Sequence, residues 1–269
     1  MVSTVLMLAL LPFSPAQNAP LAITNDRLTI GGEFSPARPN NKYLPGDRFF
    51  LAFDIENLRL TDDGKGSFLI GMTVTNSSGR IVYENKPARQ DVLLPLGGSK
   101  LPGRAFVDTA SDMTPGQYKC EVLIRDLATN ESKTLQRTFE MLPKAFGLVA
   151  MYCSGDDKGD VPAPFSGIAG QALWLHFFAV GFDRRLTTKQ PDLEITFRAL
   201  DSTGKPTLLK PRVEVVDDNI PEKEPRIPIS LSLPMNRTGT YSVEIIGKDR
   251  VSGQSDKLTF QVVVHPAVK

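Results

Sequence analysis

The sequence is short of the residues from which most active sites are built. In 269 residues it has two cysteines, two histidines and one tryptophan. Two cysteines cannot make a disulfide-rich scaffold, and Cys120, on the inward face of one strand pattern, and Cys153, well downstream, are not placed to pair. With His176 and His265 as the only histidines and no Gly-x-Ser-x-Gly turn, a nucleophilic triad lacks its parts. Neither histidine has a metal-ligating partner at close spacing, so no zinc site is expected either. We therefore expect no enzyme and no cofactor. An excess of one charge is missing too: 31 Lys plus Arg face 30 Asp plus Glu, a net charge of +1. That balance offers nothing to a polyanion, and no nucleic-acid partner is expected.

Long apolar runs are also absent. Val2 to Phe13 is apolar but falls short of the roughly 20 residues that cross a bilayer, and no later stretch reaches that length, so no membrane span is expected. Ser14-Pro15-Ala16 follows it as a signal-peptide cleavage site would, although no Lys or Arg precedes the run. Residues 1–16 thus read as a signal peptide. The expected location is extracytoplasmic, periplasmic or secreted.

What is present is repetition. Gly116-Gln117-Tyr118-Lys119-Cys120-Glu121-Val122-Leu123-Ile124-Arg125-Asp126 returns as Gly239-Thr240-Tyr241-Ser242-Val243-Glu244-Ile245-Ile246-Gly247-Lys248-Asp249. Each copy has a glycine, a tyrosine, an apolar alternation and a final aspartate, the pattern of a half-buried strand leaving a tight corner. Upstream, Pro45-Gly46 with Phe49, Leu51, Phe53 and Ile55 matches Ala169-Gly170 with Leu173, Leu175, Phe177 and Ala179. Phe68 to Val74 running into Asn76-Ser77-Ser78-Gly79 matches Leu193 to Ala199 running into Asp201-Ser202-Thr203-Gly204. Downstream, Phe139 and Phe260 take matching places if the second copy's last hairpin loop is two residues shorter. A period of about 124 residues is a whole domain, not a solenoid unit.

Between these anchors, turn signals recur every 8 to 12 residues or so without a helical period, which describes a β-sandwich. Leu21 to Phe34 reads as an opening strand with a bulge or bend at Gly31-Gly32, and Gln90–Pro95 and Arg104–Thr109 as weaker strands set apart by Gly97-Gly98 and Pro102-Gly103. Leu142-Pro143-Lys144 is the only evident linker. The expected organisation is a domain at 20–142 and a second at 145–269.

Tyr118-Lys119-Cys120 after its turn, and Tyr241 in the second copy, resemble the tyrosine-corner strand of immunoglobulin-like and fibronectin type III-like domains. The chain departs from the true immunoglobulin pattern, since Phe49 to Ile55 holds no partner cysteine and Trp174 sits on an early strand of the other domain. The resemblance implies an all-β chain of two tandem Ig-like antiparallel β-sandwiches related by internal duplication, with each tyrosine hydroxyl bonded to nearby backbone. It implies no activity.

Two candidate sites stand out. On the strand at 171–181, Trp174, His176, Phe178 and Val180 share the face opposite the core, where the first domain has Phe50, Ala52, Asp54 and Glu56. A strand apolar on both faces is covered on both sides or offers a patch. The cover is the first domain, the loop Asp183–Pro191, or a partner, and in the last case these four residues bind it. The second candidate is Asp156-Asp157-Lys158-Gly159-Asp160, whose Asp156, Asp157 and Asp160 are weak metal candidates without EF-hand spacing. The expected function is a non-catalytic extracytoplasmic interaction or structural module with an unknown protein or glycan partner. The alternatives are an accessory polysaccharide-binding module, for which Trp174 and Phe178 are the right kind of residue, and a two-domain periplasmic assembly chaperone. Against the chaperone, Arg137 interrupts the alternation of Leu135, Phe139 and Met141 that a strand-donating edge needs.

Overall fold

A computed structural model describes residues 19–267, and the signal-peptide reading at 1–16 lies outside them. Domain 1 contains β1 (Ala22–Leu28), β2 (Lys42–Tyr43), β3 (Arg48–Glu56), β4 (Lys65–Asn76), β5 (Ile81–Leu93), β6 (Lys100–Asp108), β7 (Gly116–Asp126) and β8 (Ser132–Met141). Domain 2 contains β9 (Gly147–Ser154), β10 (Pro162–Ala163), β11 (Ser166–Ile168), β12 (Ala172–Val180), β13 (Leu193–Leu200), β14 (Arg212–Val216), β15 (Arg226–Pro234), β16 (Gly239–Asp249) and β17 (Ser255–His265). No helix occurs among the described residues.

Each domain is a sandwich. In domain 1 a sheet of order β1-β3-β6 faces one of order β2-β8-β7-β4-β5, and in domain 2 a sheet of order β10-β9-β12-β15 faces one of order β11-β17-β16-β13-β14. Strand for strand the second pair repeats the first, with β10 added, so the chain is all-β with two tandem Ig-like domains. The pairing is antiparallel except where β2 meets β8 and β11 meets β17, which run parallel. The alternation explains the layers: Phe49, Leu51, Phe53 and Ile55 on β3 meet Cys120, Val122 and Ile124 on β7 in one buried cluster. Leu173, Leu175, Phe177 and Ala179 meet Val243 and Ile245 in the other. Gly46 and Gly170 turn into these core strands at φ 89° and 101°, a conformation that L side chains avoid.

The strand registers correct three sequence readings. Tyr118 lies opposite Phe139, whereas Tyr241 lies opposite Val262, so Phe139 matches Val262 and Phe260 matches Arg137. The hairpin loops are equally long: Asp126 N–H donates to Glu131 O and Asp249 N–H to Gln254 O. Arg137 faces inward and ion-pairs with Asp26, while Phe260 in its place meets Phe165 edge-on, ring centroids 5.0 Å apart. Second, β5 is one strand from Ile81 to Leu93, and Pro102-Gly103 lies inside β6. Both are edge strands, where a missing proline N–H leaves no ladder bond unmade. Gly103 also leaves space for the Phe53 ring, 2.4 Å from where a β-carbon would stand. Third, the bulge of β1 falls at Asn25-Asp26, with Asn25 at φ 50°, and Gly31-Gly32 lies beyond the strand.

The repeated motif closes both ends of its strand. Tyr118 donates its hydroxyl to Thr114 O at 2.8 Å, and Tyr241 donates to the carbonyls of Arg237 and Thr238, each at 3.1 Å. At the far end sits a fully buried carboxylate. Asp126 accepts from the N–H groups of Arg59 and Ala128, each at 2.8 Å, and Asp249 accepts from those of Asp183 at 2.9 Å and Val251 at 3.0 Å. One carboxylate thus pins the hairpin that follows it to the loop leaving the neighbouring sheet. This satisfies backbone donors that the turns would otherwise strand.

Candidate functional site

The seam between the domains brings together more unusual chemistry than either domain alone. β9 carries a bulge at Ala150, whose φ is 55°, and the bulge turns its backbone toward domain 1. Met151 N–H donates to Ile30 O at 2.9 Å, and the Ser35 hydroxyl donates to Met151 O at 2.8 Å. At Gly31 a β-carbon would lie 2.3 Å from the carbonyl carbon of Ala150, so only glycine permits this approach. Close by, the wholly buried carboxylate of Asp47 takes Arg38 Nη2 at 2.6 Å and Arg48 N–H at 2.6 Å. Burial pushes the Asp47 pKa up against the opposing pull of Arg38.

Charge crosses the seam beside this backbone contact. Asp108 on β6 accepts from Arg48 Nε at 2.8 Å and Nη2 at 3.0 Å, and lies 3.2 Å from Arg226 on β15 of domain 2. Burial raises the Asp108 pKa, but the Arg48 bonds and the charges of Arg48 and Arg226 outweigh it and hold the carboxyl below its ordinary range. The Arg226 guanidinium lies 3.6 Å from the Phe178 ring centroid, a cation–π contact in a desolvated setting.

The four residues of the outer β12 face are divided by this seam. Val180 and His176 are buried at 1% and 5% exposure, while Phe178 and Trp174 are half-buried. Val180 packs with Val149, Ala150, Phe178 and Leu44 of domain 1, so the first domain is the cover at this end. His176 stacks on Tyr152 with ring centroids 4.9 Å apart. Its Nε2 is 2.6 Å from Ser154 Oγ and its Nδ1 2.8 Å from Ser230 Oγ. Because the Ser154 hydroxyl is donated to Asp156 O, Nε2 carries the proton and Nδ1 accepts from Ser230. Burial lowers the His176 pKa, keeping this packed imidazole neutral. On the matching face of domain 1, Phe50 and Ala52 are buried, and Asp54 and Glu56 reach water.

The acidic turn is self-satisfied. Asp156 accepts from the N–H groups of Gly159 at 2.6 Å and of Asp160 and Val161, each at 3.0 Å. Burial raises its pKa, but these bonds outweigh the effect and hold it low. Asp156, Asp157 and Asp160 do not converge, and among the described residues no group of three or more His, Cys, Asp or Glu side chains is placed to hold a metal. Cys120 and Cys153 are both buried and free.

Sequence reasoning missed Asp47, Asp108, Arg226 and Gly31. Three are charged residues at strand ends, where charge is ordinary. The one available signal was the Gly31-Gly32 pair, which reads from the sequence as a bulge or bend in the opening strand.

No family model matches the chain, and no curated protein matches it by sequence. Among solved structures, it is similar to part of the Pseudomonas fluorescens alkylpurine DNA glycosylase AlkC bound to DNA, at 18% identity and TM-score 0.32, covering 46% of this chain and 31% of that one. It is similar to dimeric latent PorU from Porphyromonas gingivalis at 11% identity and TM-score 0.43, covering 97% of this chain and 22% of that one. The C-terminal domain of the Streptococcus pyogenes antigen I/II-family protein AspA aligns at 8% identity and TM-score 0.32, covering 92% of this chain and 100% of that one. The chain spans about a third and about a fifth of the first two. At these identities and scores the likenesses add nothing to the architecture that the sheets themselves display.

Proposed function

We propose that the chain is a non-catalytic extracytoplasmic module that holds two Ig-like domains in one fixed relation for structural or interaction purposes. The seam carries this reading. The bonds from Met151 N–H to Ile30 O and from the Ser35 hydroxyl to Met151 O, the Asp108 to Arg226 pair and the Leu44 to Val180 packing act together across a linker of a few residues. Flexible tethers have no such keyed contact, because inter-domain motion is the default unless the interface is specific. The signal-like residues 1–16 support export. Two measurements test the reading: fractionation with N-terminal sequencing, expected to give an extracytoplasmic chain starting near Gln17, and small-angle scattering, expected to fit one fixed two-domain shape. A cytoplasmic chain with Met1 intact, or scattering that needs an ensemble of domain angles, overturns it.

A second reading, the accessory polysaccharide module, has one observation in its favour. Phe106, 43% exposed, stacks parallel on Phe50 at 5.6 Å with the Arg48 guanidinium 5.2 Å from its ring, beside exposed Phe34 in a groove at the seam. Aromatic faces with nearby donors suit sugar rings. Retention on immobilised polysaccharides that is lost in Phe106→Ala would favour this reading, and no retention would remove it.

A further inference from the structure

The two sandwiches are finished differently at the end where the tyrosine corner lies. In domain 1 that end is filled with rings: Tyr43 lies 5.7 Å from Phe49 and 5.4 Å from Phe139, Phe49 lies 4.8 Å from Phe139, and Tyr118 lies 5.4 Å from Phe139. Met141 is buried among them and Met113 packs on from the β6–β7 loop. Strand pairing identifies the matching residues of domain 2. Tyr43 opposite Met141 corresponds to Gly167 opposite Val264, and Tyr118 opposite Phe139 to Tyr241 opposite Val262. Phe49 corresponds to Leu173, since each follows the first residue of its strand. The connecting loop runs from Thr109 to Pro115 in domain 1 but only from Met235 to Thr238 in domain 2, so Met113 has no counterpart.

Val262 and Val264, in place of Phe139 and Met141, remove volume from one place, and the shorter loop does not refill it. Met235 recovers some of it, its methyl lying 2.3 Å from where a β-carbon at Gly167 would stand. What remains is an open crevice of about 220 Å³ walled by Leu233, Met235, Tyr241, Val243, Val262 and Val264. Thr207, Asn236 and Arg237 add a polar side to the lining, and Leu208, which also lines the crevice, is 63% exposed.

We propose that this crevice is a binding site for a single aromatic ring, presented as a Phe or Tyr side chain by a partner protein. The size fits, because an apolar cavity of about 150 Å³ already accepts benzene. The chemistry fits as well, since the homologous space in this same chain is occupied by aromatic rings. An anchor side chain that fills such a pocket at an otherwise polar surface is how most interface energy is concentrated. A tethered ring suits the site better than a free solute, because exposed Leu208 in the lining gives the segment carrying the ring an apolar residue to lie on. This inference rests on reading the chain as an interaction module, but its test addresses the crevice alone, whereas fractionation and scattering address that reading.

The test is a methyl NMR titration of the whole protein with N-acetyl-phenylalanine amide, N-acetyl-leucine amide and toluene. Saturable shifts confined to the Val243, Val262 and Val264 methyls are expected, with the phenylalanine derivative at least tenfold tighter than the leucine one. Val262→Phe, which restores the domain 1 residue, should abolish them. Val264→Met, which restores the other, should weaken them and serves if Val262→Phe does not fold. Absence of saturable shifts, equal response to the leucine probe, or shifts that survive the filling variants overturns the proposal. Binding of toluene without the capped amino acid also overturns it, by showing a small-molecule pocket that a side chain cannot enter.

Discussion

Gly31 and Ala150 touch across the domain boundary with no space between them for a β-carbon: one built on Gly31 would stand 2.3 Å from the Ala150 carbonyl carbon and 2.5 Å from the Met151 nitrogen. Both neighbours are backbone, so they cannot swing away as a side-chain tip can. Gly31→Ala is therefore expected to part the seam and lower stability by about 2 kcal/mol, as overpacking at a close-fitted site does. Gly155→Ala, where the nearest atom is 3.8 Å away, is the control and should stay within about 0.5 kcal/mol. Urea denaturation reads both, and scattering should show the domain angle changing only in the first.

The two tyrosine corners differ in burial. The Tyr118 ring is buried and its hydroxyl takes both Thr114 O at 2.8 Å and Thr114 Oγ1 at 3.0 Å, whereas Tyr241 is half-buried with two bonds of 3.1 Å. Tyr118→Phe should cost about 1 kcal/mol, because it removes the shorter bond, made by the hydroxyl of a buried ring, and Tyr241→Phe about half as much, because its ring is more open and its bonds are longer. Equal losses in thermal melts would contradict this ordering.

Asp126 and Asp249 act as internal clamps. Asp249→Ala leaves the N–H groups of Asp183 and Val251 and the Ser252 hydroxyl without their acceptor. The expected loss is about 2 to 3 kcal/mol, with faster amide exchange in the loops around Asp183 and Val251 and not elsewhere. Uniform exchange across domain 2 would show that the clamp is not local.

Acid should act on the seam through Asp108. Its folded pKa lies below the ordinary 3.8, so its contribution is fully present above that value and is lost as pH falls through the folded pKa. Asp108→Asn removes that contribution at every pH. The stability gap between wild type and Asp108→Asn, about 1 kcal/mol at neutral pH for a pair partly open to solvent, should close on acidification below 3.8. A gap that persists unchanged into acid would mean that Asp108 acts through shape and not charge.

Both cysteines should be silent in the folded protein. Burial pushes the Cys120 thiol up to about 12 and Cys153 up as well, and neither is bonded to the other. A thiol reagent at mild alkaline pH should modify neither until denaturant is added, and then both. Prompt modification of the native chain would place one of them at the surface.

The fold was legible because its signals are local. The Tyr118 and Tyr241 strands announce themselves by period-two alternation between glycine and aspartate, and the matching turns at Gly46 and Gly170 fix where the core strands begin. Register between strands was less legible. Phe139 and Phe260 look like partners because both are aromatic, yet backbone pairing aligns Phe139 with Val262, and no residue-type argument reveals that an inward arginine stands where the other copy has a phenylalanine. The outer face of β12 was identified as needing cover, and for Val180 the cover is domain 1, while the Phe178 ring lies under Arg226 of its own domain. The seam chemistry was illegible for a physical reason. Asp47, Asp108 and Arg226 become unusual only through burial against residues far away in sequence.

In each domain a short early strand runs beside the last strand in the same direction for a few residues, β2 along β8 and β11 along β17. Tension applied to the two ends of such a domain draws those strands in opposite directions along their length. The bonds of each parallel patch are then loaded together in shear instead of being peeled one after another. The Ile30 to Met151 bond and the Ser35 hydroxyl hold the segment between β1 and β2 against the second domain, so the load is shared before either patch slips.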